Sequence, residues 1–260
     1  MRMKPFRTLA SAAAALLVAA GAQAAPIGFA TDVRFDLYRV DFGTATAALI
    51  GNTGAFFEGI ALGPNGTLYG TTSGGVLYSI NSTTGAATSI GNTGLGNIEG
   101  LDFNGNTLLG VNFSSMPSVY SINLTTGAAT LVANADTNTG LVRSMAVLDA
   151  NTILIRGDAN TNTLFSMDLT SGAVTAIGTQ ANRIYGMDFL SNGGLYGLSE
   201  NGLVFSISAG TGALTQIGDT GDQFWLSLTN ASAESVPEPG TLALLGLGLA
   251  GLAATRRRRQ

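Results

Sequence analysis

One pattern recurs five times along the chain, and it limits the fold more than any other feature. An aromatic strand stands at Leu37-Tyr38-Arg39-Val40, Leu77-Tyr78-Ser79-Ile80, Val119-Tyr120-Ser121-Ile122, Leu164-Phe165-Ser166-Met167 and Val204-Phe205-Ser206-Ile207, with starts 40, 42, 45 and 40 residues apart. A Thr/Ser/Gly-rich turn follows four of them, with Gly-Ala in register at Gly85-Ala86, Gly127-Ala128, Gly172-Ala173 and Gly212-Ala213. The next strand ends Ile-Gly at 90–91, 177–178 and 217–218, and the first repeat keeps a trace in Leu49-Ile50-Gly51. Two further strands fill each period. One reads Phe57-Glu58-Gly59-Ile60-Ala61-Leu62, Ile98-Glu99-Gly100-Leu101-Asp102-Phe103 and Ile184-Tyr185-Gly186-Met187-Asp188-Phe189; the other is Thr67-Leu68-Tyr69-Gly70 and its relatives at 107–110 and 194–197. Asn and Gly between them supply the positive φ that tight hairpins need.

Four short strands in about 40 residues make one propeller blade. A helical solenoid would show a 3.6-residue period, which is absent, and a β-solenoid would repeat over a shorter length. Paired sandwiches would not repeat one pattern five times. The expectation is an all-β, five-bladed β-propeller of four-stranded blades. The last repeat has the strand Phe224-Trp225-Leu226-Ser227-Leu228 and no successor, while Gly28-Phe29-Ala30-Thr31-Asp32 stands at the N-terminal end as a strand without its predecessor. The propeller is therefore predicted to be closed by its N-terminal strands, which removes free sheet edges.

The ends read as addresses. Arg2, Lys4 and Arg7 precede an apolar stretch, Leu9–Ala20, and Ala22-Gln23-Ala24 forms an A-x-A site, so residues 1–24 are predicted to be a cleavable signal peptide. Residues 25–230 are then the propeller, and 231–241 a linker containing Pro237, Glu238 and Pro239. An apolar transmembrane helix is expected over 242–255, and 256–260 form a basic tail kept cytoplasmic by its Arg cluster. The Pro-Glu-Pro tripeptide, short apolar segment and terminal Arg cluster resemble a PEP-CTERM sorting signal. That resemblance implies a Gram-negative host making extracellular polysaccharide, with exosortase (a membrane Cys transpeptidase) and the secretion machinery as partners. It also implies transient residence in the inner membrane and a final place at the cell surface or outside the cell.

Composition excludes much chemistry. The chain has no Cys and no His, so Ser-His-Asp hydrolases, Cys-His proteases and zinc hydrolases are ruled out together. Residues 26–235 hold 15 Asp and Glu against five Arg and no Lys, a net charge of −10 that disfavours nucleic acid. The repeated Tyr and Phe at 38, 78, 120, 165 and 205 are read as packing between blades. Asp41, Asn81, Asn123 and Asp168 are read as Asx turns.

The repeat texture also resembles that of six-bladed lactonase-like and NHL-like propellers, and of repeat domains in bacterial surface proteins. The first resemblance implies that the Glu-Gly strand is innermost and that a Glu at its start binds a divalent metal. Aligning the repeats puts Glu58, Glu99, Arg143, Tyr185 and Trp225 at one place in the five blades, around a channel mouth. Two acids, a base, a phenol and an indole at one repeat position mark the candidate ligand site, with Trp225 and Tyr185 available to stack on a sugar. No catalytic residue and no cofactor is assigned; Ca²⁺ on Glu58 and Glu99 is the metal alternative, although two carboxylates fall short of its usual six to eight oxygens. The expected function is a non-enzymatic surface or matrix protein binding polysaccharide or another envelope component. Two alternatives stand beside it: a metal-dependent hydrolase or lyase using Glu58 and Glu99, and a purely structural role in the matrix.

Overall fold

The computed structural model describes residues 25–158, 162–221 and 223–231. The leader expected over 1–24, and the linker, helix and basic tail beyond Ala231, lie outside the described residues. Among the described residues no helix is long and apolar enough to cross a membrane.

Among the described residues twenty strands form five four-stranded sheets. Blade 1 holds β1 (Ile27–Asp32), β2 (Asp36–Asp41) and β3 (Thr46–Asn52); blade 2 holds β4 (Phe57–Leu62), β5 (Leu68–Thr72), β6 (Val76–Ile80) and β7 (Ala87–Asn92). Blade 3 holds β8 (Ile98–Asn104), β9 (Thr107–Asn112), β10 (Ser118–Ile122) and β11 (Ala129–Asn134). Blade 4 holds β12 (Val142–Val147), β13 (Thr152–Gly157), β14 (Thr163–Asp168) and β15 (Val174–Thr179). Blade 5 holds β16 (Ile184–Phe189), β17 (Leu195–Ser199), β18 (Leu203–Ile207) and β19 (Leu214–Asp219). The last strand, β20 (Trp225–Asn230), returns to blade 1 as its innermost member, in the order β20-β1-β2-β3. The closure expected from the unmatched first and last strands is thus present, with Ala30 opposite Leu228 and Gly28 opposite Asn230.

The inner strands β4, β8, β12, β16 and β20 touch one another in a closed ring. Their third residues are Gly59, Gly100, Ser144, Gly186 and Ser227, all small, because the neighbouring backbone lies where a side chain would go. A Cβ on Gly59 would sit 2.7 Å from the carbonyl oxygen of Glu99, and one on Gly186 2.5 Å from the amide nitrogen of Leu228. The channel is nearly shut as a result, with about 10 Å³ of free space, room for about one water.

Two sequence repeats turn out to meet each other. The Ile-Gly that ends one outer strand packs on the Gly-Ala turn of the next blade: a Cβ on Gly91 would lie 2.1 Å from the Thr126 carbonyl oxygen, and one on Gly127 2.5 Å from that of Gly91. The Asx turns are also as read, since the side-chain oxygens of Asp41, Asn81, Asn123 and Asp168 each accept two backbone N–H groups of their turns. Both chain ends described here lie at the face where the inner strands finish: Ala231 donates its N–H to the Ile27 carbonyl, and Phe42 donates to that of Pro26.

Candidate functional site

Every inner strand carries a β-bulge near its start, where one residue is left without a cross-strand partner. The unpaired residues are Glu58, Glu99, Arg143, Tyr185 and Leu226. A bulge re-aims its side chain, here toward the mouth of the channel. Four of the five residues expected at the mouth are therefore brought together. Trp225 is not one of them. It is 0 % exposed, packs edge-on against Tyr38 with centroids 5.2 Å apart, and donates its indole N–H to Thr220 Oγ1 at 3.0 Å. The correction is a register of one residue: Trp225 is the counterpart of Phe57, Ile98, Val142 and Ile184, all core, and Leu226 takes the fifth mouth position.

Arg143 is the hub of the mouth. Its Nη1 lies 3.5 Å from Glu99 Oε2 and its Nε 3.3 Å from Asp158 Oδ2. Its guanidinium also sits over the rings of Phe113 and Tyr185, at 4.8 and 5.1 Å from their centroids, in cation–π geometry. Asp158 holds a second cation, Arg156 Nη1, at 2.5 Å, and Arg156 also donates to the side-chain oxygen of Asn162. Arg156 is 0 % exposed, and burial lowers its pKa against the pull of Asp158. Tyr185 in turn packs edge-on against Phe224 at 5.5 Å.

The two acids differ in what surrounds them. Burial, reinforced by the Glu58 charge, pushes Glu99 up to about 7; Arg143 and the Asn97 amide, donating to Glu99 Oε1 at 2.9 Å, pull the other way. Burial also raises Glu58, opposed by Arg143. Glu99 thus carries a proton part of the time at neutral pH, and can donate a hydrogen bond as well as accept one.

Two loop residues also reach Arg143. The connections β9–β10 (113–117) and β13–β14 (158–162) have five residues, where 33–35, 73–75 and 200–202 have three. The β11–β12 connection runs to seven, 135–141. Phe113 and Asp158 come from these longer loops, and sequence reasoning missed both because loop residues carry no repeat register. Arg156 was missed too, although its place was legible: it occupies the position of Thr31, Thr71, Val111 and Leu198 in the other blades, a lone charge in an uncharged series. Among the described residues no three of His, Cys, Asp and Glu gather closely enough to hold a metal ion.

A second concavity lies at the opposite end, where the inner strands finish, with a volume of about 350 Å³ and Asp102, Asp188 and Thr229 at its base. Asp102 accepts the N–H groups of Phe103 and Val147, each at 2.6 Å. Asp188 accepts those of Phe189 and Asn230, each at 2.7 Å, and the Thr229 hydroxyl at 3.1 Å. Thr229 Oγ1 accepts the Leu62 N–H at 3.0 Å. Burial raises Asp102 to about 6 against its two N–H donors, and raises Asp188 well above the usual carboxylate range, helped by the charge of Asp102.

Comparison with known proteins adds an address and a fold. Residues 235–259 match the PEP-CTERM protein-sorting motif, which implies an exported, cell-surface-directed protein processed by exosortase. No curated protein matches the chain in sequence. Among solved structures, one in a nidogen/laminin complex is similar at 14 % identity and a TM-score of 0.52, covering 79 % of this chain and 85 % of that one. A gluconolactonase from Xanthomonas campestris is similar at 12 % identity and a TM-score of 0.50, over 78 % of this chain and 79 % of its own. At such identities the likeness is one of fold, and it includes a lactonase-type propeller.

Proposed function

We propose that the protein is exported by its leader at 1–24, processed by exosortase, and holds a polysaccharide or another envelope component at the mouth without transforming it. The observation that carries this reading is the bulge ring. Glu58 and Glu99, Arg143 and Tyr185 put two acids, a cation and a phenol at one repeat position that the cross-strand ladder leaves free. Carboxylate, guanidinium and phenol groups beside the rings of Phe113 and Phe224 suit a polyhydroxylated ligand, with hydroxyls bonding to the charged groups and C–H faces lying on the rings. The shut channel makes the mouth a shallow bowl, suited to a chain lying across it rather than to a substrate swallowed whole.

Titration calorimetry with oligosaccharides cut from the host's extracellular polysaccharide tests it. Binding should fall at least tenfold in Arg143→Ala and in Glu58→Gln. Unchanged affinity in both variants, or none in the parent, would remove the mouth from consideration.

One observation favours a second reading. A carboxyl at about 7 is what a general acid requires, so Glu99 with Glu58 could serve glycoside cleavage. Shortened products in the same incubations, lost in Glu99→Gln, would establish that reading instead.

A further inference from the structure

Blade 1 breaks the repeat at a place where no other described blade does so with an exposed side chain. In blades 2 and 5 the turn between the first two outer strands ends in Gly75 and Gly202, with φ of 72° and 78°. The carbonyl of each accepts a Thr hydroxyl eighteen residues on, from Thr93 and Thr220, at 2.8 Å. The same hydroxyl bond, also 2.8 Å, runs from Thr53 to the carbonyl of Phe35. Phe35 is thus the structural counterpart of the two glycines, and it holds their left-handed backbone at φ 68°. A side chain with a Cβ is strained there.

The other non-glycine residue with positive φ among the described residues, Ala45, makes the contrast. It stands where Gly85 and Gly127 stand in blades 2 and 3, but it is 7 % exposed and packed in a core cluster, which offsets its strain. Phe35 is 42 % exposed, and the aromatic ring it meets is Phe56, edge-on at 5.8 Å. Its turn is fixed all the same: Asp32 Oδ1 accepts the N–H groups of Arg34 and Asp36, and the Thr53 N–H donates to the Phe35 carbonyl at 2.7 Å. A strained backbone that presents a ring to solvent on a rigid turn points to a use for that ring.

We infer that Phe35, with Phe56, is an aromatic platform for a pyranose ring of a carbohydrate chain that also crosses the mouth. This rests on the mouth reading above. The platform lies on the mouth face, and Val33 beside it donates its N–H to the carbonyl of Phe224, whose ring packs on Tyr185 of the bulge ring. The aromatic surface is ring-sized, far below the ~800 Å² per partner that a stable protein interface buries. Beside it the Asn52 amide, donating to Asp36 Oδ1 at 2.8 Å in an exposed position, offers the hydrogen-bonding flank that sugar hydroxyls need.

The test is to titrate the full chain with cellohexaose, xylohexaose, mannohexaose and N-acetylchitohexaose, alongside thermal melts. Phe35→Gly should raise the melting temperature by about 2–4 °C, because the strain is gone. It should also weaken binding about tenfold, the worth of one aromatic contact. Phe35→Tyr should keep the affinity. If Phe35→Gly binds as tightly as the parent while Arg143→Ala does not, the platform is overturned and the mouth stands. If Arg143→Ala binds normally and Phe35→Gly does not, the mouth reading falls, and with it the chain crossing from platform to mouth. No binding by the parent sinks both. A concentration-dependent dimer in ultracentrifugation, lost in Phe35→Gly, would replace the sugar with a second copy of the chain.

Discussion

Rings of residues that break the fivefold repeat stand at both ends of the channel, but the backbone accounts for only one of them. At the lower end the fifth residues of the inner strands are Ala61, Asp102, Ala146, Asp188 and Thr229. Five N–H groups lie close by, those of Leu62, Phe103, Val147, Phe189 and Asn230, and all five are accepted by these side chains. Each carboxylate covers two, one in its own strand and one in the next blade, and Thr229 covers the fifth. Two Ala suffice between them because nothing is left to cap. An odd number of blades cannot be served by pairs alone, so the lower ring had to be irregular. At the mouth no such count exists. Glu58, Glu99, Arg143 and Tyr185 occupy bulges, whose side chains the ladder does not use. Divergence between repeats is therefore informative about ligands only after the backbone's own needs have been subtracted.

The sharpest way to break this contrast is to remove a cap. Asp188→Ala should strand two buried N–H groups and a hydroxyl, at a cost of about 3–5 kcal/mol in urea unfolding. Asp188→Asn should recover part of that. A loss under about 1 kcal/mol would mean that the lower ring is as unexplained as the upper. Next in size is pH. Glu99 is raised from 4.5 to about 7 and Asp102 from 3.8 to about 6, so the folded chain holds protons that the unfolded chain has released. Their contribution is complete below about pH 4 and is lost as pH rises toward 7, on the order of 2–3 kcal/mol for each group. Glu99→Gln should flatten the part of the curve nearer pH 7 and Asp102→Asn the part nearer pH 5. Urea midpoints that rise with pH across this window would contradict both. The smallest effect belongs to Glu58→Gln, which should change stability by no more than about 0.5 kcal/mol. A cost near that of Asp188→Ala would show that the mouth, too, is built for the fold.

Most of the architecture was legible because it rests on repetition. The blade count, the Asx turns and the closure by β1 each follow from residues that recur or conspicuously fail to. The mouth was legible to within one residue. In β20 the small third residue is Ser227 where three other blades have Gly, so the aromatic Trp225 drew the alignment and Leu226 was passed over. The order apolar, variable, small, apolar would have placed Trp225 with Phe57 and Ile98. Asp102 and Asp188 were in view, yet their task depends on N–H groups of neighbouring strands, which no single repeat displays. Phe35 is similar. Its oddity lies in a backbone angle, and only the comparison with Gly75 and Gly202 exposes it.

The shared position of the two chain ends has a further consequence. The sorting motif begins four residues after Ala231, and four residues span at most about 14 Å even when fully extended. Any attachment made through the sorting motif therefore leaves the propeller from the Asp102–Asp188 end. The opposite face, with Arg143 at its centre and Phe35 at its edge, is the one away from that exit. Attachment at one end thus leaves the bulge ring and its aromatic neighbours uncovered by the attachment itself.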